Sequence, residues 1–81
     1  MVVRNWLDDL FERLDRIETH VYMKRVKLAE GMLERTFQPY NELAEVIRRR
    51  GSSYLETEIG KAKVRIGQVA NALVMAMTGR R

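Results

Sequence analysis

Residues 5–37 read NWLDDLFERLDRIETHVYMKRVKLAEGMLERTF, and the spacing of their apolar positions decides the fold. Leu7, Leu10, Leu14, Ile17 and Val21 fall three and four apart, the repeat of a single helix face. Beyond Val21 the stripe moves round the helix and broadens. It takes in Val26, Ala29, Met32, Leu33 and Phe37, while Lys24, Lys27, Glu30 and Glu34 stay on the polar side. A narrow apolar seam needs one packing partner, whereas a seam open to about half the cylinder must be covered from two directions. The pattern predicts one long helix over about residues 5–36, a rod of about 45 Å. A compact chain of this length has a radius of gyration near ~12 Å. One copy is therefore expected to leave part of the stripe free for association. On this reading Arg25 points into the apolar half and either needs a carboxylate across an interface or marks the rim of one.

Punctuation along the chain supports three helices. Asn5 can cap the first, with Asp8 and Asp9 in its opening turn, where negative charge is favoured. Gly31 sits on the polar side, where it costs about 1 kcal/mol relative to alanine. Pro39, the sole proline, disfavours helical dihedrals at Gln38 and suits a first helical position, so a break is expected there. A short second helix over about 39–50 then presents Tyr40, Leu43, Ala44 and Ile47 and stops at Arg48-Arg49-Arg50-Gly51. Ser53-Tyr54-Leu55-Glu56 has the form of a capping box opening a third helix over about 53–78. Within it Leu55, Ile59, Ala62, Ile66, Val69, Leu73 and Ala76 alternate four and three apart, a sustained heptad pattern.

The fold class expected is all-α, with residues 1–81 forming a single helical domain. The expected architecture is an elongated antiparallel hairpin of the first and third helices, bridged by the short second one and dimerising into a helical bundle. The alternative is an α+β fold with a hairpin at 54–69, because Lys61 to Ile66 alternates polar with apolar and Gly60 can serve a turn. The helical register accounts for the longer run, whereas alternation fails at Gly67.

Composition narrows the function. Apolar residues make up 46% and charged residues 32%, which is globular composition. There is no cysteine, so disulfides, thiolate nucleophiles and cysteine-ligated metals are excluded, and a reducing cytoplasm suits the chain. The opening residues lack the apolar core of a signal peptide. The longest apolar run, Val69 to Met77, is interrupted by Asn71 and is too short to span a bilayer.

Charge is balanced over residues 1–30, and the basic excess is C-terminal, carried by Arg48, Arg49, Arg50, Lys61, Lys63, Arg65, Arg80 and Arg81. Such a cluster can meet nucleic acid, although three arginines at a helix C-terminus also complement its dipole. Glu42 to Ile47, a turn, and then Ser52-Ser53 faintly echo a helix-turn-helix. The second helix, however, would bring Glu56 and Glu58 towards phosphate.

No residue set forms a catalytic signature. His20 is the lone histidine, and Ile17 stands where a Glu-x-x-His metal pattern needs its carboxylate. The acidic residues Asp8, Asp9, Glu12, Asp15 and Glu18 are flanked by Arg13 and Arg16 and read as solvated ion pairs. The glycines never assemble a phosphate-cradling loop. No enzyme activity, cofactor or metal is expected.

Gly60 and Gly67 lie seven apart inside the third helix with Val74 continuing the line, and Val64 and Met75 lie nearby, away from the main seam. Two interior glycines cost roughly 2 kcal/mol, and the close approach of another backbone would offset that. The function expected is a non-enzymatic helical protein-interaction module, a small regulator, inhibitor or assembly factor. Its expected contact residues are Leu7, Leu10, Leu14, Ile17, Val21, Val26, Leu33 and Phe37, with Gly60, Gly67 and Val74. Its partners are expected to be another protein and a second copy in a homodimer. The alternative is a dimeric basic nucleic-acid-binding protein using Arg48, Arg49, Arg50, Lys61, Lys63 and Arg65.

Overall fold

A computed structural model describes residues 3–78 as three helices: α1 (Val3–Tyr22), α2 (Val26–Arg50) and α3 (Ser53–Thr78). Each helix packs against both others. The links at 23–25 and 51–52 are short, so successive helices run antiparallel and α3 returns parallel to α1. The bundle measures 46 × 19 × 16 Å with a radius of gyration of 13.6 Å, the slender shape that side-by-side rods of this length impose.

All three helices carry the same repeat. On α1 the buried positions are Val3, Leu7, Leu10, Leu14, Ile17 and Val21. On α2 they are Ala29, Leu33, Thr36, Leu43 and Ile47, with Tyr40 half-buried between. On α3 they are Ala62, Ile66, Val69 and Leu73. Every step is four or three residues, the condition for straight seams to interlock along their length. Two clusters result. Leu14, Ile17 and Val21 meet Ala29, Leu33, Ile66, Val69 and Leu73 at one end. Val3, Leu7 and Leu10 meet Leu43, Ile47 and Ala62 at the other.

The structure corrects the expected long first helix. That helix ends at Tyr22, and the chain reverses through Met23, Lys24 and Arg25. The Arg25 amide donates to the His20 carbonyl at 2.9 Å and the Lys24 amide to the Val21 carbonyl at 3.1 Å. These are the two bonds of a Schellman cap, with Lys24 in the left-handed position at φ 65°. The widening of the apolar stripe after Val21 is therefore a change of helix. Leu7, Leu10, Leu14, Ile17, Val21, Ala29 and Leu33 are buried within one protomer, while Val26 and Met32 are half-buried and Phe37 stays 44% exposed. Arg25 precedes α2 and is exposed, with no apolar half to enter.

The break expected at Pro39 is also absent, because α2 runs through it. Proline lacks the amide that would bond the Arg35 carbonyl, and this costs about 3 kcal/mol in an isolated helix. The packing seam nevertheless stays in phase across it, with Leu33 and Thr36 before and Tyr40 and Leu43 after. Burial on both sides holds the helix together. Thr36, the buried polar residue beside the proline, donates its hydroxyl to the Met32 carbonyl at 2.8 Å. The three helices are thus of similar length, not a long pair with a short bridge.

Two cap assignments also move. Asn5 lies inside α1, and the serine that caps α3 is Ser52, whose Oγ accepts from the Leu55 amide at 3.3 Å. Gly51 ends α2 as expected, at φ 70° with its amide donating to the Ile47 carbonyl at 3.2 Å. The alternative hairpin at 54–69 is excluded, because that segment lies wholly within α3 and the described residues contain no strand.

Candidate functional site

The most unusual surface is the outward side of α3. From Ile66 to Thr78 the helix has no charged residue, although only Ile66, Val69 and Leu73 of that stretch are buried. A helix with one face in a core ordinarily shows charge on the other. Here Val74 is 54% exposed, Met75 63% and Met77 46%, and Val64, between Lys63 and Arg65 just before the stretch, is 60% exposed.

Gly60 and Gly67 lie on the same side, and a Cβ built at either meets no heavy atom within 4 Å. Neither glycine is needed for packing within the protomer. Each gives up about 1 kcal/mol of helix propensity with nothing inside the chain to offset it. Gly31, by contrast, faces Arg35, and a Cβ there would sit 3.6 Å from the guanidinium.

Two grooves border this side of α3 along α1. One, of about 490 Å³, lies between Phe11 and the Gly60–Val64 stretch, with Lys61 and Gln68 at its edges. The other, of about 800 Å³, is formed where Tyr22 and Val26 approach Ala72 and Met75. Between them Arg65 reaches from α3 to α1, donating through Nη2 to Asp15 at 2.6 Å and to Glu18 at 2.5 Å. At the far end Arg4 of α1 lies 5.8 Å from the Tyr54 ring centroid and 3.8 Å from Glu58. These cross-links set the level of α1 against α3.

The expected contact residues divide sharply. Leu7, Leu10, Leu14, Ile17, Val21 and Leu33 are all at most 6% exposed, so they belong to the protomer's own core and are withdrawn from the contact surface. Val26 is half-buried and Phe37, on α2, is 44% exposed. Gly60, Gly67 and Val74 share the outward side of α3 with Val64 and Met75, as the sequence spacing implies. Asn71 and Thr78 complete that line. They were legible only as polar residues, although the steps 60, 64, 67, 71, 74 and 78 repeat the four-three rhythm of the inner seam.

The basic residues do not form one patch. Arg48, Arg49 and Arg50 end α2, whereas Lys61 stands eight residues into α3, about 12 Å along its axis from Ser53. Arg48 and Arg49 both bond Glu45, Lys61 bonds Glu58 at 3.2 Å, and Arg65 is held by its two carboxylates. Among the described residues only Arg50 and Lys63 of the six carry no ion pair, and Arg80 and Arg81 lie outside the described residues.

His20 is half-buried at the end of α1 with no hydrogen-bond partner for Nδ1, and among the described residues no three histidines or carboxylates gather as a metal site. No described helix is long and apolar enough to cross a membrane. Comparison with family models, curated proteins and solved structures finds no match for this chain.

Proposed function

We propose that this chain is a non-enzymatic helical protein-interaction module, a small regulator or assembly factor whose contact surface is the outward side of α3 and whose first partner is a second copy. One observation carries the reading: from Ile66 to Thr78 α3 carries no charge on either side, and only one side is covered. The exposed Val74, Met75 and Met77, in a stretch without charge from Ile66 to Thr78, have the character of an interface core, where charge is depleted and methionine enriched, and Val64 extends that side beyond Arg65. The cysteine-free composition supports a cytoplasmic setting.

The test is the solution mass of the full chain across a wide concentration range, alongside the double variant Val64→Glu/Val74→Glu. Both positions are exposed, so the variant keeps its helix content. The native chain is expected to pass from monomer to dimer with rising concentration and the variant to remain monomeric. A native chain that stays monomeric at millimolar concentration, or a variant that associates as well as the native chain, overturns the reading.

A further inference from the structure

We infer that α3 packs along α3 of a second copy in parallel and in register, with Asn71 set against Asn71 of that copy. This rests on the self-association proposed above and goes further by assigning the orientation and the residue that selects it.

Along the outward side of α3 the positions Gly60, Val64, Gly67, Asn71, Val74 and Thr78 step by four and three without a miss, as an a/d seam does. Taking Val64, Asn71 and Thr78 as a positions and Gly60, Gly67 and Val74 as d positions, the flanks are also defined. Lys61, Gln68 and Met75 lie along the edge facing α1. Glu56, Lys63, Ala70 and Met77 lie along the edge facing α2.

Charge decides the orientation. In a parallel pair the α2-side edge of one helix meets the α1-side edge of the other five residues further on. Glu56 then meets Lys61 of the second copy, twice by symmetry, and Ala70 meets Met75. An antiparallel pair covering the same uncharged stretch sets Lys61 against Met75 and Lys63 against Met77, leaving both ammonium groups against thioethers. The parallel arrangement gives Lys61, already bonded to Glu58, a second carboxylate and sets Lys63 beside the Gln68 amide of the second copy, whereas the antiparallel one offers both ammonium groups only thioethers across the seam.

Size and polarity agree. Glycine at two successive d positions leaves the backbone bare, and the open space around each gives a second helix room to come close. Asn71 is the one amide on the seam's axis. Across a two-fold its amide group donates to the carbonyl oxygen of its twin, a bond available only when the two helices are parallel and unshifted. An amide at an a position fixes register at the expense of affinity.

The native chain has no cysteine, so single substitutions report geometry without background. Val64→Cys and Asn71→Cys are made separately in the full chain, and Val64→Cys is also mixed with Val74→Cys. Each sample is oxidised mildly and its cross-linked mass measured, beside the solution mass of the native chain. Covalent dimer from Val64→Cys alone and from Asn71→Cys alone supports the inference. So does Asn71→Val if it associates more tightly than the native chain, as replacing a polar a position by an apolar one predicts. Cross-links appearing only in the Val64→Cys with Val74→Cys mixture overturn the parallel register while the interaction reading stands. Dimer mass with no cross-link in any sample places the contact elsewhere and overturns the inference. A native chain that remains monomeric overturns both.

Discussion

Arg65 and Glu18, 47 residues apart in the chain, meet at 2.5 Å, and the same guanidinium nitrogen reaches Asp15 at 2.6 Å. Asp15 and Glu18 lie three apart on α1 and repel one another unless a cation stands between them. Arg65 supplies that cation from α3, so one side chain both relieves the repulsion and fixes the level of the two parallel helices. Arg65 and Glu18 are part-buried at 31% side-chain exposure and the Arg65 Nε is buried without a partner, but Asp15 is 69% exposed, so the contribution of the cluster is discounted for screening. Arg65→Met is expected to destabilise the fold by about 1 kcal/mol and lower Tm by roughly 4–8 °C at low salt. The loss should shrink as ionic strength rises. Thermal unfolding at two salt concentrations checks this, and a loss that does not respond to salt would show that the guanidinium acts through its short-range hydrogen bonds and not through screened charge attraction.

The α1–α2 turn holds a lysine where glycine is the usual residue. Lys24 at φ 65° pays the crowding of its Cβ against the next carbonyl, about 1 kcal/mol. Lys24→Gly is expected to raise stability by up to about 1 kcal/mol, less what the freer backbone gives back in the unfolded state. Denaturant midpoints of the two chains measure the difference, and a fall in stability would refute the strain.

That same lysine explains what was legible in the sequence and what was not. The inner seams of α1 and α3, the stop at Gly51 and the helical register of 53–78 followed from spacing and end signals that agreed with one another, whereas the seam of α2 was split between two expected helices. The first turn had no such signal. Met23-Lys24-Arg25 contains neither glycine, proline nor asparagine, and backbone bonds from Lys24 and Arg25 do what a side chain usually marks. Pro39 misled in the opposite direction, because a local preference was overruled by burial before and after it. The phase change in the apolar stripe at Val21 was the true mark of a new helix. The ridge on α3 was legible because its glycines have no local use. Its Asn71 was not, because an exposed amide carries no meaning until the outer seam is counted.

At Pro39 the Arg35 carbonyl lacks an amide partner within α2, and the ring lines a small cleft with Trp6 and Leu10. Restoring the amide is worth more than the packing lost from a half-buried ring. Pro39→Ala is therefore expected to stabilise the fold by about 1–2 kcal/mol, below the ~3 kcal/mol of an exposed helix interior. Urea unfolding decides it. A destabilised variant would mean that the ring's contact with α1 outweighs the missing hydrogen bond.

Most of the basic side chains once grouped as a nucleic-acid contact are occupied by neighbouring carboxylates, and the two groups stand apart along the bundle. Duplex DNA is expected to bind weakly at low salt and to be released by about 0.15 M salt, as unspecific phosphate contacts are. Fluorescence anisotropy with a labelled duplex tests this. Retained binding at that salt would restore the basic residues as a functional surface.

The glycines of α3 separate folding from association most cleanly. Alanine at Gly60 or Gly67 meets only open space in the protomer, so each substitution is expected to stabilise the monomer by about 1 kcal/mol through helix propensity alone. In a seam where two bare backbones lie close, the same methyl groups hold the helices apart and weaken the pair. Gly60→Ala/Gly67→Ala is therefore expected to unfold at higher temperature when measured dilute, yet to dimerise less readily than the native chain. Thermal melts at low concentration and sedimentation at high concentration read the two effects independently. If both improve together, the glycines serve no close contact, and the outward side of α3 must meet its partner by some looser packing.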